Sequence, residues 1–202
     1  MDWIVSIDFS ILDFIQNTMV NPVMNIIMMI FSYSGEAGAI WIIAAIIMLF
    51  FRKTRATGVI MLAAMALGLL VGEVCLKNVI CRPRPFLVNT SVKPFIHAPL
   101  GYSFPSGHTT TAFAAALVIA VRQKRGWGIA AYVLACLIAF SRMYNYVHYP
   151  TDILAGIILG TLSALLMLFI FQKPDFPTSS PAIRSKPQSK PKISRDTPVS
   201  RL

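Results

Sequence analysis

The chain has 202 residues, of which 56% are hydrophobic and 13% charged, and its mean hydropathy of +0.67 exceeds that of a water-soluble domain of this length. A net charge of +10 would suit a nucleic-acid binder, but thirteen of the eighteen Lys and Arg residues fall in RKTR (52–55), RQKR (122–125) and the segment after Phe171. Clusters of that kind mark membrane topology and exclude nucleic acid as the partner.

In the first 35 residues, DWIVSIDFSILDFIQNTMV carries Asp2, Asp8 and Asp13 among apolar residues, and Asn21-Pro22 then leads to a short apolar stretch ending at SYSG. This pattern predicts an interfacial helix followed by a partly inserted one. It has neither the basic start nor the small-residue cleavage site of a signal peptide. Five firmer spans follow over 37–51, 58–80, 107–121, 128–147 and 150–171, each covering most of a ~30 Å hydrocarbon core at ~1.5 Å per residue. The first of these is short and borrows from residues 31–36. The expected fold is all-α: a polytopic membrane helix bundle over 36–171, preceded by the helices of 1–35, the second of which would be a sixth if it inserts fully. Residues 172–202 are rich in Pro, Ser, Lys and Arg and read as a disordered basic tail.

Basic residues in short loops favour the cytoplasmic side, which puts 52–55, 122–125 and the tail there. By parity, the 81–106 loop and the 142–150 turn share the extracytoplasmic side, although that loop holds Arg82, Arg84 and Lys93 against the rule. The small residues of GIILG, 156–160, suit close helix packing and would permit a homodimer. Cys75, Cys81 and Cys136 are odd in number and lack CxxC spacing, so they read as packing residues and not as a disulfide framework or zinc site.

Three polar clusters meet on the extracytoplasmic side. KNVICRPRP contributes Lys77 and Arg84, PSGH spans 105–108, and SRMYNYVHYPTD contributes Ser141, Arg142, His148 and Asp152. Together they resemble the type 2 phosphatidic acid phosphatase superfamily, whose pattern is K-x6-RP, PSGH and SR-x5-H-x3-D. All three parts are complete, ordered and correctly spaced. The residue types also make chemical sense alone: Lys77, Arg84 and Arg142 supply charge for phosphate oxygens, arginine in a two-pronged fashion. Ser106 and Gly107 open a helix whose free N–H groups point at an anion.

The resemblance implies a lipid phosphatase of the cell membrane working at its extracytoplasmic face. In the family, the counterpart of His148 attacks phosphorus to give a phosphohistidine, that of Asp152 holds the opposite ring nitrogen, and that of His108 protonates the departing oxygen and later activates water. Lys77, Arg84, Ser106, Gly107 and Arg142 match its phosphate-binding positions. No carboxylate cluster with metal-ligand spacing accompanies them, so neither metal nor other cofactor is expected. The small size and short loops are similar to those of the family's bacterial undecaprenyl-diphosphate phosphatases. Phosphatidate or phosphatidylglycerophosphate is the alternative substrate, and a non-catalytic headgroup-binding or transport protein is the alternative class, disfavoured because binding alone needs no second histidine. Glu73 reads as an ion-pair partner of Lys77. Arg82 fits a fourth phosphate contact or an interface anchor equally well, Lys93 and Arg82 would suit a diphosphate, and His97 reads as merely exposed.

Overall fold

The computed structural model describes residues 2–171; the expected tail, 172–202, lies outside the described residues. Nine α-helices follow one another among them: α1 (Asp2–Met19), α2 (Pro22–Ser34), α3 (Ala39–Phe50), α4 (Arg55–Leu69), α5 (Lys77–Ile80), α6 (Pro85–Val88), α7 (Gly107–Arg122), α8 (Arg125–Tyr144) and α9 (Pro150–Ile170). A 3-10 turn at Glu36–Gly38 joins α2 to α3, and the helix widens to π geometry over Leu70–Leu76 between α4 and α5. The ends follow ordinary capping chemistry. Asn21 accepts the N–H of Met24 at 3.0 Å with Pro22 at the first helical position, and Ser106 accepts the N–H of Thr109 to start α7.

The expected spans appear as helices whose ends shift by a few residues. Among the described residues, Arg55–Val88, Arg125–Tyr144 and Pro150–Ile170 are long and apolar enough to cross a membrane. α2 and the segment Glu36–Phe50 would make a fourth crossing as a pair bent by 48°. α7, expected over 107–121, has 16 residues and lies inside the bundle, with Ala112, Ala114, Ala115 and Ala116 fully buried. Those small side chains let α4, α8 and α9 close around it. α9 contributes the closest approach, since a Cβ at Gly156 would stand 2.8 Å from Ser106 O, and one at Gly160 would run into Thr110 O and Ala114 N. Gly156 and Gly160 of the GIILG stretch thus pack against α7 of the same chain.

α1 lays Asp8, Leu12 and Ile15 against the bundle at helical spacing and leaves Trp3, Ile7 and Phe14 exposed. Its polar residues grip the turn after α8: Gln16 Nε2 donates to Tyr144 O at 2.8 Å, and Asp13 Oδ1 accepts the Tyr146 hydroxyl at 2.8 Å. At the other end of the bundle Gln123 Nε2 donates to Thr57 Oγ1 at 2.8 Å, so the two basic turns expected on one side of the membrane share one end of the molecule. The three motif clusters share the opposite end, where the N–H of Ser106 donates to Asp152 O at 3.1 Å. Cys75, Cys81 and Cys136 are exposed rather than packed, because hydropathy does not separate lipid-facing from core positions in an apolar helix.

Candidate active site

The polar side chains of the motifs arrive from α5, the segment before α6, α7, α8, the turn after α8 and α9. Lys77 follows the π segment, whose extra residue per turn carries both Glu73 and Lys77 toward the α7 N-terminus. Lys77 Nζ pairs with Glu73 Oε2 at 2.7 Å, as the i, i+4 spacing predicts. The Glu73 carboxylate sits close over Gly107, where an added Cβ would meet Glu73 Oε1 at 2.5 Å and displace it.

Arg84 is buried just before α6. Its Nε donates to Gly101 O at 3.0 Å, Nη2 to Leu100 O at 3.2 Å and Nη1 to Val147 O at 3.0 Å, while Nη1 also lies 3.3 Å from His148 Nε2. Arg142, in the last turn of α8, donates through Nη1 to Ser32 Oγ of α2, and its Nε has no partner among the described residues. His148 sits in the turn between α8 and α9. Its Nδ1 lies 3.4 Å from Asp152 Oδ2, close enough for charge pairing but outside hydrogen-bond geometry. The other contacts of Asp152 are well formed, with Oδ2 accepting the N–H of Tyr149 at 2.9 Å and Oδ1 accepting from Arg82 Nη1 at 2.8 Å. Burial first, and then the charges of Arg84 and Arg142, hold the His148 imidazole well below its ordinary pKa.

These side chains surround a cavity of about 500 Å³ whose lining includes Lys77, Arg84, Gly107, His108, Arg142 and His148. All three sequence clusters therefore reach one space. Three expectations change. The N–H of Ser106, expected to be free for an anion, donates instead to Asp152 O, and the buried Ser106 hydroxyl caps α7 by taking the Thr109 N–H and hydroxyl. Arg82 is committed elsewhere: Nη2 pairs with Asp8 Oδ2 at 2.6 Å and Nη1 with Asp152, so neither it nor Lys93 is part of the cavity wall. His97, by contrast, joins that wall.

Sequence reasoning missed Glu36. Its carboxylate lies 3.5 Å from His108 Nε2 and lines the cavity with Glu73. The available signal was an acid set between Gly35 and Gly38 amid apolar runs, a costly placement unless a polar cavity receives it. The chemical capacity of the site follows from this set: cations and a helix N-terminus to hold an anion, a buried neutral imidazole backed by a carboxylate, and a second imidazole opposite.

Residues 57–175 match the family described as the PAP2 superfamily. An undecaprenyl-diphosphatase of Sulfolobus acidocaldarius is 30% identical over 131 residues, 65% of this chain and 63% of the relative. Phosphatidylglycerophosphatase B of Bacillus subtilis is 36% identical over 130 residues, 59% of this chain and 60% of the relative. The chain thus spans less than two thirds of the length of these curated relatives. Among solved structures, Aquifex aeolicus LpxE superposes with a TM-score of 0.72 at 27% identity, covering 81% of this chain and 95% of that one. A transmembrane PAP2-type phosphatidylglycerolphosphate phosphatase from Bacillus subtilis gives 0.70 at 29% identity, covering 84% and 87%.

Proposed function

We propose, since this chain belongs to the PAP2 superfamily, that it is a membrane phosphatase removing a phosphoryl group from a lipid phosphate or diphosphate through a phosphohistidine. The observation that carries this reading is the convergence of His148, His108, Lys77, Arg84 and Arg142 on one cavity at one end of the bundle. With Nδ1 turned to Asp152, the lone pair of neutral His148 is at Nε2, on the side of Arg84. Nε2 forms a bond to phosphorus as the bond from phosphorus to the lipid-side oxygen breaks, and His108 gives that oxygen its proton. Water then attacks the phosphohistidine while His108 takes the water's proton, and inorganic phosphate leaves. Asp152 stabilises the positive imidazole ring during both steps. Lys77, Arg84, Arg142 and the N–H groups at Gly107 hold the phosphoryl oxygens as charge shifts among them.

The substrate we assign is undecaprenyl diphosphate, converted to undecaprenyl phosphate and phosphate for cell-wall synthesis. The similarity to the Sulfolobus undecaprenyl-diphosphatase supports it. Sidedness enters the same proposal: the shared end of the basic turns is cytoplasmic, as is the C-terminal tail, and the cavity opens on the extracytoplasmic face.

One observation favours the second reading, a phosphatidate or phosphatidylglycerophosphate phosphatase. Arg82 is spent on Asp8 and Asp152, and Glu36 and Glu73 oppose the three cavity cations, so the surplus positive charge expected for a diphosphate is absent from the wall. Phosphate release by purified protein, measured as kcat/KM on undecaprenyl diphosphate, phosphatidate and phosphatidylglycerophosphate, separates the two. The diphosphate is expected to be the best substrate. A tenfold preference for either glycerolipid, ~1.4 kcal/mol in transition-state stabilisation, would reverse the assignment. No release from any of the three would favour the headgroup-binding class.

A further inference from the structure

Arg82 falls within the variable part of the first motif, and Asp8 lies on α1, far from any motif. They nevertheless form one connected polar cluster with Thr151 and Asp152. Asp8 is buried; its Oδ1 accepts the N–H of Thr151 at 3.0 Å, and its Oδ2 accepts the Thr151 hydroxyl at 2.6 Å as well as Arg82 Nη2 at 2.6 Å. Arg82 Nη1 donates to Thr151 Oγ1 at 2.6 Å and to Asp152 Oδ1 at 2.8 Å, and the guanidinium lies 3.8 Å from the centre of the Tyr149 ring. Its own carbonyl accepts the N–H of Ser103 at 2.9 Å. Both terminal nitrogens of the guanidinium are therefore fixed by partners on α1 or at the start of α9.

From this geometry we infer that Asp8 and Arg82 are positioning residues for the His148–Asp152 pair, so that α1 takes part in the active site without touching substrate. The inference rests on the proposed reading in which His148 is the nucleophile. A carboxylate with one oxygen clamped by a rigid fork presents its other oxygen in a fixed direction, here toward His148 Nδ1. Asp8 has a second task. One guanidinium shared between two carboxylates leaves the trio with a net negative charge, so Asp152 keeps the anionic character that a positive imidazole ring needs. Arginine paired with Asp152 alone would cancel that charge. Lysine could neutralise but not bridge, since a single ammonium lacks the fork that reaches Asp8, Thr151 and Asp152 together.

The test uses the full chain in detergent with a short-chain lipid phosphate. Asp8→Asn keeps the shape and one acceptor oxygen while removing the charge, and Arg82→Lys removes the fork while keeping the charge. Other groups act on the His148 ring too: Arg84 from the segment before α6, Arg142 from α8, His108 from α7 and Lys77 from α5, all of which both variants leave in place. Asp8→Asn is expected to lower kcat by roughly tenfold or more at unchanged KM, on the scale at which small misplacement acts. It also moves the acid limb of the kcat/KM profile to lower pH, because a more fully neutralised Asp152 supports the protonated ring less. Arg82→Lys is expected to share the kcat loss at unchanged KM. Raised KM with normal kcat in Arg82→Lys would make Arg82 a phosphate contact and overturn the inference. So would a folded Asp8→Asn protein with wild-type kcat and acid limb. His148→Ala run alongside separates the levels: if it retains turnover, the nucleophile assignment fails, whereas a dead His148→Ala beside unaffected Asp8→Asn and Arg82→Lys variants leaves that assignment intact and removes the positioning role alone.

Discussion

Replacing Gly156 by Ala tests whether the α7–α9 contact sets the geometry of the site. The new methyl would stand 2.8 Å from Ser106 O and 2.9 Å from Thr109 Cβ. Ordinary contact is near 3.5 Å, so the helices must part locally by about 0.7 Å. Ser106 O accepts the N–H of Thr110 at 2.9 Å in the first turn of α7 and cannot yield alone, because the turn that carries Gly107 and His108 moves with it. Asp152 lies one helical turn before Gly156 on α9 and would be pushed the other way. Overpacking of this kind costs about 1–3 kcal/mol in stability, and a shift approaching 1 Å between reacting groups lowers kcat/KM on the order of ten- to a hundredfold. Thermal melting in detergent and phosphate release from a short-chain lipid phosphate measure the two effects. Gly126→Ala is the control, since a Cβ there meets nothing within 4 Å, and it should melt at or slightly above the wild-type temperature with normal turnover. Wild-type melting and wild-type kcat/KM in Gly156→Ala would refute the idea that this crossing is rigid enough to position the site.

The remaining predictions concern charge and topology. With the His148 pKa depressed, the ring stays neutral below the pH at which an ordinary imidazole charges, so the acid limb of kcat/KM that belongs to the nucleophile should lie below the ordinary imidazole position; an acid limb at that position would contradict the burial of His148. Glu73→Gln frees Lys77 from its 2.7 Å partner and should lower KM several-fold for an anionic headgroup, whereas a raised KM would mean that Glu73 orients Lys77 for phosphate. Exposed Cys81 should react with an impermeant maleimide in intact cells, while a cysteine introduced by Lys124→Cys should react only after permeabilisation; the reverse labelling would put the cavity in the cytoplasm.

What could be read before the structure divides along a physical line. The helices of residues 37–171 were legible because long apolar runs have few alternatives in a membrane, and the convergence of Lys77, Arg84, His108, Arg142 and His148 was legible because their spacing matched a three-part pattern. Glu36 was not: it reaches His108 across the bundle from a Gly-bracketed turn, and no local periodicity records that approach. Arg82 could not be assigned because its partners are Asp8 and Asp152, one of them 74 residues away on an amphipathic helix whose acids read equally well as interfacial. The glycines of GIILG announced close packing but not the partner, which proved to be α7 of the same chain. The π widening at Leu70–Leu76 leaves no mark on hydropathy, although it sets the direction of Glu73 and Lys77.

The most direct test of the proposed chemistry is to trap the covalent intermediate. His108→Ala, incubated with a radiolabelled phosphate ester that has a good leaving group, should accumulate acid-labile, base-stable phosphate on the peptide containing His148, and the double variant with His148→Ala should carry none. Absence of label in the first protein together with near-normal turnover in His148→Ala alone would contradict a phosphohistidine mechanism at this site.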